Sequence, residues 1–324
     1  MKKFLVWTAL FLLPLLALAV VADWWLTHRF RQFDQGNYSV WNDLLDGKVN
    51  ADVVIYGTSR ADVHFNPKVI EDSLGLSAYN LGINGHNFYM EYLRHTLLLK
   101  HNKKPKLIIL SVDNVMLDKR ENLYGKEQFS PYLSNADIAA ATKTYEGYNR
   151  FDYLLPLVRY VPLKNPLTHI REGNYSSTEN SPWYKGFHPH EGGWNNDFEV
   201  AVSKRKVFVQ RFDSGTLKLF DRFLQEMKQA SIPVIFVYSP EYIEGQKFVT
   251  NRNEVFEKLN FFASKYNLPF LDYSADTLCL SKKYFFNSQH LNEHGVITFM
   301  GKFVKDLKPL LKQAGIRQDS LLRN

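Results

Sequence analysis

The pattern of apolar and polar positions opens on a run that has no period. Phe4 to Val21 is almost unbroken apolar sequence, preceded by Met1-Lys2-Lys3 and followed, past Asp23, by Trp24, Trp25 and Leu26. Eighteen or so apolar residues are about the minimum for a helix that crosses a bilayer. Lysines before the run and a tryptophan pair after it suit a cytoplasmic N-terminus and an interfacial belt. Residues 1–26 therefore read as a single-pass signal anchor in the cytoplasmic (inner) membrane, with the remaining chain outside it. Ala17, Ala19 and Ala22 are small enough for a cleavage site, so a cleaved signal peptide is the competing reading; both readings export the rest of the chain.

Beyond the anchor, residues 27–50 are polar and dotted with aromatics, a stalk with a short helix. Ala51 to Tyr56 is short, continuous and rich in β-branched residues, the mark of a strand buried on both faces. Asn66 and Pro67 cap a short helix that Gly75 ends. Ala78 to Leu81 is a second strand, and Phe88 to Lys100 has apolar residues at helical spacing. Leu107 to Val112 is the clearest strand. The alternation then lapses from 114 to 206, a stretch rich in Tyr, Asn, Pro and Gly that is too long for an ordinary connection and reads as an insertion. It resumes with a helix near 215–230, a strand at Pro233–Tyr238, a helix at 253–266, a strand at Pro269–Asp272 and a last helix near 293–311. A polar tail occupies 313–324. Strands alternating with helices predict one α/β domain over 51–312, a doubly wound, mostly parallel sheet with helices on both faces.

Composition narrows the classes. The single cysteine, Cys279, rules out an intramolecular disulfide and a multi-cysteine zinc site, and no cofactor motif is present. The formal charge of +7 is spread along the chain rather than clustered. That suits an anionic surface such as lipid headgroups or acidic glycans better than nucleic acid.

In doubly wound sheets, ligands bind at the carboxyl ends of the strands. Three polar segments fall at or near those ends. Gly57-Thr58-Ser59-Arg60 presents a serine hydroxyl, and the Ser59 amide points into the same space as a candidate oxyanion donor. Gly82 and Gly85 in Asn80-Leu81-Gly82-Ile83-Asn84-Gly85 permit close backbone approach to a ligand. Asn287-Ser288-Gln289-His290 precedes the last helix. A serine needs a base within hydrogen-bond reach, and His290 is the candidate.

Together these segments resemble the SGNH hydrolase superfamily, the GDSL-type esterases, over roughly residues 50–115 and 230–312. More narrowly they look like its membrane-anchored branch associated with acyl transfer to envelope polymers, such as alginate acetylation and teichoic acid D-alanylation. The resemblance implies Ser59 as nucleophile, His290 as base and the Ser59 and Gly85 N–H groups as oxyanion donors. It implies a three-layer α/β/α fold, an acyl donor and an envelope glycan as substrates, and an integral-membrane acyltransferase as partner. Two positions depart from the pattern. Asn287 stands where an aspartate is usual; an amide can orient an imidazole but cannot stabilise its charge. Glu293 or Asp272 is then the candidate carboxylate. Asp113 stands where an asparagine oxyanion donor is usual, leaving adjacent Asn114 for that role. Arg60 is a candidate to hold an acidic substrate or to pair with Asp62 or Asp113.

The remaining clusters are weaker. His188-Pro189-His190 reads as a polar loop rather than a metal site, so no metal is expected. Trp183, Tyr184, Phe187 and Trp194 read as packing rather than as sugar platforms. The function expected is a serine-dependent O-acyltransferase or esterase acting on envelope polysaccharide. The alternative is a non-catalytic SGNH-like module for glycan binding or assembly.

Overall fold

The computed structural model describes all residues except 162, 164, 176–182 and 318–324. Five strands, β1 (Val53–Gly57), β2 (Ala78–Asn80), β3 (Leu107–Ser111), β4 (Val234–Tyr238) and β5 (Phe270–Asp272), form one sheet in the order β2-β1-β3-β4-β5. Every pairing is parallel, with Val53 opposite both Ala78 and Leu107, and Ile108 opposite Val234. The helices are α1 (Lys2–Phe30), α2 (Gly36–Leu45), α3 (Ser59–His64), α4 (Pro67–Leu74), α5 (Phe88–His101), α6 (Ala136–Thr142) and α7 (Arg150–Leu154). They continue with α8 (Pro166–Tyr175), α9 (Asp197–Ser203), α10 (Ser214–Gln229), α11 (Ile243–Gln246), α12 (Arg252–Tyr266) and α13 (Glu293–Gln313). The order of the sheet reverses between β1 and β3, which puts a topological switch point at their carboxyl ends.

The central strands are continuous apolar runs because both their faces are covered. Val53, Ile55, Leu107, Ile109, Ile235 and Val237 point to one side and share a core with Phe65 and Ile70, and with Phe299 and Phe303 of α13. The alternate positions point to the other side, where Tyr56 meets Phe223 and Phe236 meets Phe220, both aromatics of α10. This is the three-layer α/β/α arrangement that the sequence predicts.

Helix boundaries follow their caps. Asn66 Oδ1 accepts from the Lys68 amide at 2.9 Å at the start of α4, and Gly75 closes it with a φ of 65°. Asn292 Oδ1 accepts from Gly295 at 2.9 Å to start α13. Of the tail expected at 313–324, Gln313 still belongs to α13, and 318–324 lie outside the described residues.

The chain divides into two compact units, one of Asp43–Lys119 with Pro182–Asn324 and one of Met1–Asn42 with Arg120–Ser181. The first holds the sheet. Of the stretch 114–206, residues 114–119 and 182–206 belong with the sheet unit and 120–181 with the N-terminal helix. In that second unit Leu26 and Phe30, near the end of α1, pack with Phe33, Tyr160, Leu163 and Ile170. Trp41 packs on Phe129 and donates to Gln128 Oε1 at 3.2 Å, while Asn42 holds the Phe30 and Phe33 carbonyls at 3.1 and 3.0 Å. The helix runs to Phe30 rather than ending near Leu26, because its last turns have this core to bury against. Its 29 residues span about 43 Å, more than the roughly 30 Å of a bilayer core, and no residue of its apolar window is buried.

Candidate active site

The serine turn is tighter than a loop. β1 ends at Gly57, only Thr58 separates strand from helix, and Ser59 is the first residue of α3. Gly57 has a φ of 146°, and a Cβ there would lie 2.7 Å from the Ser111 carbonyl oxygen on β3, so no other residue fits. A Cβ on Gly82 would lie 2.5 Å from the Asp62 amide, so the second motif presses its backbone onto α3. Asn80 completes that contact. Its Nδ2 donates to the Ala61 and Phe65 carbonyls at 2.7 and 2.8 Å, and its Oδ1 accepts from Gly82 N–H at 2.8 Å. Gly85 sits in the turn that comes next.

The histidine loop is folded by its own backbone. Phe286 N–H donates to the His290 carbonyl at 2.8 Å, and Leu291 bridges back to Phe285. Asn287 Oδ1 accepts from the Gln289 and His290 amides, both at 3.0 Å, and lies 3.0 Å from His290 Nδ1. Backbone N–H groups only donate, so this Asn287 atom is the oxygen and its ring partner must be a donor. Nδ1 therefore carries the hydrogen, and Nε2 is left with a bare lone pair. That nitrogen lies 2.8 Å from Ser59 Oγ. The two residues are 231 positions apart in the chain and stand in hydrogen-bond contact, the arrangement a nucleophile and its base require.

Among the described residues, no carboxylate stands behind the ring. Glu293 is exposed at the start of α13, and Asp272 is exposed at the end of β5 with Oδ1 accepting from Ser274 N–H at 2.8 Å. Neither takes the place expected of it, because Asn287 already occupies Nδ1. Burial, then the neighbouring His190 and Arg60, push the His290 imidazole down to about 3. The imidazole is neutral across the physiological range, in an environment that resists its protonation.

Two other residues have partners of their own. Asp113 accepts from the Thr58 hydroxyl and from the Val115 and Met116 amides at 2.9 and 3.0 Å, which ties the turn after β3 to the turn after β1. Asn114, beside it, is buried with its Oδ1 unpaired. Arg60 is not free for an acidic substrate, and it acts on Asp113 as a neighbouring charge rather than through a hydrogen bond. It is buried, lies 4.3 Å over the Tyr238 ring, donates to the Ser239 carbonyl and pairs with Glu241 at 3.5 Å.

Residues that sequence reasoning passed over lie behind the pair. His64, at the other end of α3 from Ser59, is wholly buried. Its Nε2 accepts from the Leu291 amide at 2.9 Å, so its Nδ1 donates to Ser239 Oγ, 2.7 Å away. One six-residue helix thus carries the serine and grips the backbone next to the histidine. Ser239 and Glu241 come directly after β4, and the strand-end rule itself pointed there. His190 stacks on Phe286 at 4.4 Å with its ring 5.3 Å from that of His290. His188 stacks on Trp183 at 3.8 Å and lies 3.9 Å from Asp62. Phe187 is buried in the core, Tyr184 donates to Glu71 at 2.6 Å, and Trp194 packs on Tyr242, so these aromatics pack the loop.

The missing charge makes a prediction. Asn287→Asp keeps the three hydrogen bonds and adds an anion beside Nδ1, which raises the imidazole pKa and stabilises the imidazolium formed during attack. Turnover of an activated acetyl ester should rise about tenfold or more. The acid limb of its pH–rate profile, expected far below the ordinary histidine range in the native chain, should move up. A profile unchanged in both rate and position would show that Asn287 is not coupled to the base.

No family model and no curated protein matches the chain. Among solved structures it is similar to a lipase/acylhydrolase from Enterococcus faecalis, at 12 % identity and a TM-score of 0.40, over 80 % of this chain and 95 % of that one. It is also similar to a GDSL-like lipase from Bacteroides thetaiotaomicron, at 12 % identity and a TM-score of 0.35, over 86 % of this chain and 99 % of that one. At such identity neither likeness transfers an activity.

Proposed function

We propose that the chain is a serine-dependent ester hydrolase or O-acyltransferase of the SGNH type, anchored by α1 and acting outside the cytoplasmic membrane on acyl groups of envelope polysaccharide. The observation that carries this reading is the 2.8 Å contact between Ser59 Oγ and an Nε2 whose lone pair is fixed by Asn287. Ser59 Oγ attacks the ester carbonyl as its proton passes to His290 Nε2. The Ser59 amide, first in its helix and without an intrahelical acceptor, is a donor for the resulting oxyanion, with Gly85 and Asn114 as the further candidates. The imidazolium returns the proton to the leaving alkoxide, and the acyl group stays on Ser59. Water then gives hydrolysis and a sugar hydroxyl gives transfer. An envelope glycan as acceptor and an integral-membrane protein as acyl donor rest on the motif resemblance alone.

The test is covalent. A fluorophosphonate probe, or an activated acetyl ester quenched in acid, should leave its adduct on the peptide containing Ser59, and none in Ser59→Ala. An unlabelled native protein that binds polysaccharide would favour the non-catalytic module, for which Asn287 is the one supporting feature.

A further inference from the structure

Outside α1, the described residues of the smaller unit expose large aliphatic side chains only between Leu154 and Leu167. Leu154, Val161 and Leu167 are 74 %, 75 % and 60 % exposed, on a segment that is itself fastened to α1. Leu157 N–H donates to Asp23 Oδ1 at 2.9 Å, and Arg159 donates to the other carboxylate oxygen and, at 3.0 Å, to Thr27 Oγ1. The Thr27 and Tyr160 hydroxyls are 2.6 Å apart, and Ile170 packs with Leu26 and Phe30. Each of the three exposed aliphatics lies within three residues of one of these fixed points. Asp23 comes two residues after the apolar run, about 3 Å along the helix axis. The segment therefore meets α1 where its apolar surface ends, at the level of the exposed Trp24 and Trp25.

We propose that the described residues between 150 and 171 form an interfacial collar, with Leu154, Val161 and Leu167 entering the headgroup–acyl boundary of the bilayer that α1 crosses. The proposal rests on α1 as a retained anchor. Charge favours lipid as the occupant. Arg150 and Arg171 are exposed at the two ends of the apolar segment, where phosphates would meet them. Asp23, the one anion within α1, is neutralised by Arg159 at the boundary, where a lone carboxylate is costly. Tryptophans at the same level are the usual companions of such a boundary.

The test uses full-length protein in phosphatidylcholine–phosphatidylglycerol nanodiscs. It carries Cys279→Ala and one fluorophore, attached in turn through Leu154→Cys, Val161→Cys, Leu167→Cys and, inside α1, Leu12→Cys. Quenching by a lipid with a shallow nitroxide should exceed quenching by aqueous iodide at 154, 161 and 167 by about twofold or more. A deep nitroxide should quench position 12. Iodide dominating at the three collar sites, or protection from both quenchers as in a protein–protein contact, overturns the collar while position 12 still reports insertion. Loss of quenching at position 12 overturns the anchor reading and the collar with it.

Discussion

Ser59→Ala, His290→Ala and the double variant should all fall to one residual turnover of an activated acetyl ester, roughly a thousandfold below the native protein. In the proposed mechanism the serine hydroxyl and the imidazole act on one proton, so either loss removes the same step and the second costs nothing more. The rate that remains comes from binding and oxyanion donors, which neither substitution touches. The drop is expected at the lower end of the range for such pairs, because Asn287 holds the ring by its oxygen without adding charge. Steady-state kinetics of the three variants decides it. Additive losses would mean that Ser59 and His290 contribute to separate steps and that the 2.8 Å contact is incidental.

Glu241→Leu should destabilise the sheet unit by about 3–5 kcal/mol, the cost of stranding buried charge. Glu241 accepts from the Tyr238 hydroxyl at 2.7 Å, from Arg252, and from Arg60 at 3.5 Å. The Arg60 and Glu241 side chains are 5 % and 4 % exposed, so removing the carboxylate leaves a guanidinium that water cannot reach. Thermal unfolding should shift down by roughly 10 °C, with Arg60→Met in the Glu241→Leu background recovering part of it. A shift within about 2 °C would show that solvent reaches the pair. Arg60 adjoins the nucleophile in sequence, so the same variant should also show slower labelling of Ser59 below its melting point.

The frame of the site was legible because strands buried on both faces announce themselves. Val53–Gly57, Leu107–Ser111 and Val234–Tyr238 are runs in which every residue must be apolar or small. Polar residues directly after them stand out for the same reason. Ser59 emerged from that contrast, whereas His290 was read from its place in the loop before the last helix and from the motif resemblance. What stayed hidden depends on partners far apart in the chain. The bonds from His64 to Ser239 and to Leu291 cross 175 and 227 residues, and no local pattern encodes them. Asp113 looked like a hazard to an oxyanion because its hydrogen bond to Thr58, 55 residues earlier, is a tertiary fact. The smaller core was equally illegible, since Leu26 and Phe30 find Tyr160 and Ile170 more than a hundred residues later.

The short helix between Ser59 and His64 also sets a schedule. Both of its ends wait for the last part of the chain, since Ser59 needs His290 and His64 needs the Leu291 amide. At a synthesis rate of about 5–20 residues per second, the serine is made roughly 10–50 s before its base. Through that interval it is an ordinary alcohol, harmless to whatever esters it passes. On the proposed mechanism a chain cut short anywhere before residue 290 would stay so, and reaction at Ser59 would report that translation has run to the final helix.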